Sequence, residues 1–197
     1  IPSKLPGVEI GEKIDKLGLR TSDTAPVYFD NVRIPMRYRI GEEGAGFSMQ
    51  MQQFQEERIF LAASALVILD DCIEQTINFC KERKAFGKRV LDNQAIQFRL
   101  AELQIEIESL RSLIYRACEE FVSGKDMTYL ASMAKFKCGK LIREVSDSCL
   151  QYWGGMGFTW ENPLSKVYRD GRLMSIGGGT DEIMLSIICK HLGMTKK

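Results

Sequence analysis

Between residues 96 and 121 the apolar side chains hold one interval without a break. Ile96, Leu100, Leu103, Ile107, Leu110, Ile114, Ala117 and Phe121 are separated by 4, 3, 4, 3, 4, 3 and 4 residues. Residues three and four apart share one face of a helix, so this stretch predicts a long helix with a narrow apolar seam. Such a seam is suited to left-handed packing in a bundle. Its flanks supply the neighbours. Phe47, Met51, Phe54, Ala62, Ala65, Leu69, Ile73 and Ile77 recur at helical spacing and predict a first helix from about Gly46 to Arg83. Ser123-Gly124-Lys125-Asp126 stops the seam helix. Leu130, Ala134, Cys138, Leu141, Val145 and Cys149 then mark one face of a third. Pro163 suits the first turn of a short fourth helix running through Arg172. Thr180 can cap a final helix, and Asp181 and Glu182 favour its positive end.

Upstream of residue 44 the texture differs. The stretch KLGLRTSDTAPVYFDNVRIP at 16–35 is rich in turn formers, and Val27, Phe29, Val32 and Ile34 suggest strands broken at Asp30-Asn31. Proline is absent between Pro35 and Pro163. The expected fold is therefore mainly α, an up-and-down four-helix bundle over 44–197 preceded at 1–43 by a remnant of β structure. Residues 1–10 hold no signal-peptide pattern and read as mid-protein, which predicts a fragment or a processed chain.

Composition narrows the function classes. With 27 basic and 26 acidic residues the net charge is +1, which gives no reason to expect nucleic acid or an anionic membrane as partner. No apolar run reaches the roughly 18 residues of a transmembrane segment. The six cysteines (Cys72, Cys80, Cys118, Cys138, Cys149, Cys189) show no CxxC pairing and fall within helical patterns, as buried free thiols in a reducing compartment would. One histidine, His191, and scattered cysteines predict no metal site. There is no GxSxG, and GGGTDE lacks the lysine of a phosphate-binding Walker loop.

The punctuation between helices says more than the helices. Arg83, Lys84, Lys88 and Arg89 concentrate positive charge around Phe86-Gly87, and Gln94 opens the seam helix. On composition alone this is a solvated basic turn, although an arginine fork also suits phosphate. QYWGGMGFTWENP at 151–163 and GGGTDEI at 177–183 are two glycine clusters at helix boundaries. Glycine lets backbone N–H groups approach a ligand closely.

Taken in order, these motifs resemble the carboxyl-terminal half of the acyl-CoA dehydrogenase family, in the long-chain and isovaleryl-CoA branches. RKAFG followed by Gln94 is similar to the family motif that touches FAD across a subunit boundary, which implies Arg83, Phe86 and Gln94 as FAD contacts. The first glycine cluster falls where the family contacts the FAD of a partner subunit, implying Gln151, Gly154 and Gly155. Thr180, Asp181 and Glu182 fall in the loop that meets the flavin end and the phosphates. Residues 16–35 resemble the last strands of the family's middle β-domain, and GEEGAGF at 41–47 its entry into the helical domain.

In this family a glutamate usually stands directly before the Gly-Thr pair of the late loop; here that position is Gly178. A minority of members carry the base on the first long helix, directly before an arginine. The segment QFQEERIFLAAS at 53–64 places Glu57 before Arg58. Periodicity agrees, since Glu57 lies three residues after Phe54 and four before Leu61, whereas Glu56 is rotated 100° onto a more polar face. Read alone, EER is a charged helix surface; beside Gly178 it reads as the base.

The resemblance implies α,β-dehydrogenation of a long-chain or branched acyl-CoA to a trans-2-enoyl-CoA, with Glu57 taking the α-proton and FAD accepting the β-hydride. It implies CoA contacts at Gln55 and Arg58, although many relatives have Asp where Gln55 stands. Gly178 and Gly179 would line the acyl pocket, and Gly177 and Gly178 leave its wall without two side chains. It further implies electron transfer flavoprotein as partner, a homotetramer built as a dimer of dimers, and the mitochondrial matrix. The family's amino-terminal domain and the flavin-holding part of its β-domain lie outside these residues, so the chain alone is expected to bind FAD poorly and to be inactive. An acyl-CoA oxidase and a non-catalytic assembly or acyl-CoA-binding relative are the alternatives.

Overall fold

The seam becomes the inner face of the central helix. A computed structural model describes residues 1–195, and the last two residues of the predicted helical region lie outside them. Helix α2 spans Gln94–Val122, and Leu100, Leu103, Ile107, Leu110, Ile114 and Ala117 are all buried along it. The pattern weakens at its ends, where Ile96 is half-buried and Phe121 exposed. Helix α1 (Gly46–Glu82) buries Ala62, Ala65, Leu69 and Ile73. Phe47 and Met51, expected on the same face, are exposed. Helix α3 (Thr128–Trp153) buries each of the six residues that define its predicted face.

Ion pairs fix the directions. Arg99 on α2 donates to Glu144 on α3 (2.6 Å), and Glu106 pairs with Lys137, so α2 and α3 run antiparallel. Arg111 of α2 donates to Asp70 of α1 at 2.7 Å. Helix α1 runs parallel to α3, because Arg58 and Lys135 reach one loop while the Trp153 indole N–H donates to Thr76 Oγ1 at 3.2 Å. These pairs are mostly solvent-exposed and contribute about 0.2–1 kcal/mol each. The buried seams carry the larger share of stability, roughly 1.5–3 kcal/mol per fully buried aliphatic side chain.

Two short helices complete the bundle against α3. Helix α4 (Pro163–Gly171) starts where expected, with Asn162 Oδ1 accepting from the Leu164 N–H at 2.8 Å and proline in the first turn. Helix α5 (Asp181–His191) runs antiparallel to α3, with Asp181 bonded to Arg143 and His191 stacked on Tyr129 at 4.1 Å. No helix among the described residues is long and apolar enough to cross a membrane. The six cysteines are free. Burial pushes the Cys72 and Cys138 thiols up to about 12 and Cys149 to about 11, so these three are packing residues with little thiolate at neutral pH.

The chain divides into two compact units, Ile1–Gln52 and Gln53 onward. In the first, β1 (Val8–Ile10) pairs antiparallel with β2 (Val27–Phe29) in the register Val8↔Phe29 and Ile10↔Val27. The second run suggested by Val32 and Ile34 is not a strand. Asn31 takes a left-handed turn (φ +49°) that breaks the ladder, and Pro35 offers no N–H to extend it. The partner of β2 comes instead from a three-residue stretch too short to stand out by periodicity.

Candidate active site

The loop 177–180 links a 3-10 turn, Arg172–Ser175, to α5. Gly178 and Gly179 both have positive φ, +67° and +105°, which glycine adopts without a Cβ penalty. Their carbonyls point inward to two cations. Arg58 Nε of α1 donates to the Gly178 carbonyl at 3.1 Å, and Lys135 Nζ of α3 donates to the Gly179 carbonyl. Both cations are buried, and desolvation lowers the pKa of each. A Cβ on Gly178 would lie 3.2 Å from Leu61 Cδ1, and one on Gly179 would lie 2.8 Å from Met184 Cε. The loop is thus tight on the side that faces α1 and α5.

Thr180 caps α5, its hydroxyl accepting from the Ile183 N–H at 3.4 Å. Asp181 is held inside the bundle, with Oδ2 accepting from Arg143 Nη2 at 3.1 Å. Its other oxygen is buried with no hydrogen-bond partner, as is Ser175 Oγ nearby. Glu182 is exposed, and hydrogen bonds from its own N–H and from Thr180 hold its carboxyl below the usual range.

Glu57 stands on the turn of α1 that meets this loop. It is half-buried, while Glu56 is exposed, as the periodicity predicts. Gln53 Nε2 donates to Glu57 Oε1 at 3.0 Å, one turn back. Arg58 lies 5.8 Å from the centre of the Phe54 ring, within cation–π range. Leu61, the residue nearest a Cβ on Gly178, is one turn beyond Glu57. Glu57 and the side-chain-free Gly178 therefore share one neighbourhood on α1, with Leu61 and Arg58 between them. Gln55 is half-buried on the same turn.

The remaining predicted ligand residues gather elsewhere. Strands β3 (Lys84–Ala85) and β4 (Lys88–Arg89) form a hairpin whose tip is Phe86-Gly87, both with positive φ. This is the pattern of a tight two-residue turn. Phe86 is fully exposed at that tip. Gln94 opens α2 immediately after the hairpin, and Gln151, Gly154 and Gly155 lie at the end of α3. Trp153 stacks on Phe79 of α1 at 4.2 Å, so the first glycine cluster and the hairpin share one end of the bundle. Arg83, Gln94 and Gln151 are exposed, and no side chain among the described residues pairs with them. A Cβ on Gly154 or Gly155 would meet nothing within 4 Å. From Glu57 to Phe79 is roughly 33 Å along α1 at 1.5 Å per residue. The predicted residues thus form two groups, and one chain does not bring them together.

Lys135 is the functional candidate that sequence reasoning passes over. It lies next to Ala134 on the apolar face of α3, where a charge has no reason to stand unless something polar faces it. Gly139 is the other. A Cβ there would come within 3.0 Å of Ser175 Oγ, the Met174 carbonyl and Asp181 Oδ1, so its glycine admits the loop and α5 to the surface of α3.

Residues 44–193 match the family model for the C-terminal domain of acyl-CoA dehydrogenases. The chain is 36% identical over 184 residues to the bovine (Bos taurus) mitochondrial short/branched chain specific acyl-CoA dehydrogenase, covering 93% of this chain and 43% of that protein. It is 37% identical over 182 residues to the mouse (Mus musculus) mitochondrial long-chain specific enzyme, covering 92% and 42%. Among solved structures, a probable acyl-CoA dehydrogenase from Mycobacterium abscessus superposes with a TM-score of 0.95 at 34% identity, over 98% of this chain and 51% of that one. The bundle with its two glycine clusters is that of a helical acyl-CoA dehydrogenase domain, and the chain belongs to the acyl-CoA dehydrogenase family. It spans less than half the length of these two curated relatives.

Proposed function

We propose that the chain is the C-terminal portion of an FAD-dependent acyl-CoA dehydrogenase in which Glu57 is the base. The observation that carries this reading is the pairing of a half-buried carboxylate at Glu57 with a residue lacking a side chain, Gly178, against the same stretch of α1. A base must come within hydrogen-bond reach of the proton it removes. Among the loop residues 177–180 and the turn 54–58, the carboxylates are Glu56 and Glu57, and Glu56 faces outward. Glu57 would accept the α-proton of an acyl-CoA thioester, with Gln53 holding one carboxylate oxygen and leaving the other free to act. Arg58 spends one donor on the loop carbonyl; Gln55 and the remaining guanidinium N–H groups of Arg58 would face the CoA portion. Gly178 and Gly179 would form the acyl wall.

The residues at the far end of the bundle fit FAD. Open space at Gly154 and Gly155 admits a ligand against bare backbone, and Phe86, Arg83, Gln94 and Gln151 offer an aromatic face and unpaired donors beside it. These groups would hold the adenosine-diphosphate part of the cofactor, with Thr180, Asp181 and Glu182 near the flavin end of another molecule. FAD, when bound, supplies the two-electron acceptor for the β-hydride. The separation of the two groups by roughly 33 Å along α1 supports a reading in which each cofactor is shared between two copies of the protein. A dimer-of-dimers homotetramer follows from the same reading. So do electron transfer flavoprotein as electron acceptor and the mitochondrial matrix as compartment, the latter supported by the mitochondrial relatives. The near-equal identities to short/branched and long-chain enzymes do not select an acyl class.

Glu57→Gln in the full-length protein tests the base. Turnover of acyl-CoA with a dye acceptor should fall by about 10²–10⁴-fold while the flavin spectrum is unchanged; retained activity removes Glu57 from the role. An absorbance spectrum of the isolated 197-residue chain tests the incomplete site. It should show little or no bound flavin, and stoichiometric yellow protein would overturn that expectation. Peroxide production measured against electron transfer flavoprotein reduction separates a dehydrogenase from an oxidase.

A further inference from the structure

Lys135 is about 1% exposed among the buried residues of α3, most of which are apolar. Among the described residues its ammonium pairs with no carboxylate, and its hydrogen bond goes to the carbonyl of Gly179. The nearest acid with a buried oxygen, Asp181, gives its other oxygen to Arg143. Arg58, close enough to Lys135 to repel it, holds the adjacent carbonyl of Gly178. Two like charges are therefore buried near one another, each donating to a backbone carbonyl of the same two-residue segment, while Asp181 attracts Lys135 without pairing with it. Burying an ammonium whose hydrogen bond goes to a neutral carbonyl is unfavourable; Asp181 offsets this only from a distance, and a methionine would fill the space without the desolvation. What the lysine supplies is a fixed direction for the carbonyl of a residue with φ +105°. Without an inward donor, that carbonyl has every reason to turn toward water.

The two cations come from different helices, Arg58 from α1 and Lys135 from α3. The loop between them is thereby referenced to both. Its other flank is closed by Leu61 and Met184, with no spare room for a Cβ at Gly179. We propose that Lys135 is a positioning residue that, together with Arg58, sets where the Gly178–Gly179 wall stands against the Glu57 turn of α1, and so sets which acyl groups fit. This inference rests on the reading of Glu57 and the glycine loop as the acyl-CoA site. Lys135 touches no reacting atom; it acts through the loop it holds.

The test compares Lys135→Met and Lys135→Gln with the unaltered full-length protein. Methionine keeps the volume and removes the donor, while glutamine keeps an N–H donor without the charge. With a panel of straight and branched acyl-CoA thioesters and a dye acceptor, Lys135→Met should raise KM at least tenfold for the preferred chain length. It should also flatten the chain-length profile, with kcat falling less than KM rises and flavin content unchanged. Lys135→Gln should recover part of the discrimination. Hydrogen exchange of the amides at 177–183 gives a second reading that needs no turnover. Those amides should exchange at least tenfold faster in Lys135→Met, while protection along α2 stays as it was. An unchanged chain-length profile together with unchanged loop protection overturns the proposal, as does a uniform loss of protection across the bundle in both variants. If the unaltered protein turns over no acyl-CoA, the proposed activity fails instead, and the exchange of the loop still decides whether Lys135 holds it.

Discussion

The two glycine clusters are built on opposite grounds. At 178–179 the backbone is clamped from inside, with both carbonyls bound by buried cations and Leu61 and Met184 against the places where side chains would begin. At 154–155 none of the described residues approaches within 4 Å of those places. Gly154 has φ +58°, which accounts for glycine there, but Gly155 has neither a positive φ nor a close neighbour. The loop at 178–179 is explained by the interior of its own bundle. The turn at 154–155 leaves its surface open, which is where the proposed reading puts the cofactor of a partner copy. Glycine-rich loops that look alike in a sequence can thus answer to different constraints, and substitution separates them.

The largest effect is expected at Gly179→Ala, where a strained φ and a Cβ 2.8 Å from Met184 Cε act together. Strain and overpacking of about 1–3 kcal/mol each should lower the denaturant midpoint clearly. Unchanged stability would mean the loop is not clamped. Gly139→Ala should follow, losing about 1–3 kcal/mol as the new methyl displaces Ser175, Met174 and Asp181 from α3. Its thermal midpoint should drop by roughly 2–10 °C. Thr180→Ala removes the cap of α5 and should cost about 1 kcal/mol, read from the same unfolding curves. Gly155→Ala should leave stability within about 0.5 kcal/mol, yet weaken FAD retention in the full-length protein, as followed by flavin release on dilution. If Gly155→Ala neither unfolds the bundle nor loosens flavin, the contrast between the clusters loses its cofactor half.

Much of this organisation is legible from residue order. The seam on α2 and the faces of α1 and α3 follow from intervals of three and four, because a helix converts spacing into direction. The caps at Asn162 and Thr180 follow from local hydrogen-bond chemistry. Glu57 is distinguished from Glu56 by phase alone, and the half-buried and exposed positions agree with it. What escapes is what depends on a second segment. Lys135 reads as one more polar residue until the Gly179 carbonyl is brought opposite it. Gly139 reads as a weak point in a helix until Ser175 and Asp181 arrive at its surface. Val8–Ile10 cannot announce itself as a strand, since three residues carry no period and its partner is seventeen residues further on. Phe47 and Met51 keep the helical interval but no buried face, because periodicity gives direction without saying what stands there.

Helix α1 carries the Glu57 turn near one end and delivers the chain to the Phe86 hairpin at the other, with no break across Gly46–Glu82. The two ends are therefore locked in phase like marks on a single shaft. One residue inserted between Ala62 and Ile77 would advance the far end by about 1.5 Å and turn it by about 100°, swinging the hairpin away from the end of α3. Sequence drift in that stretch can exchange one side chain for another. It cannot change the number of residues without turning the Glu57 end and the hairpin end out of phase with each other.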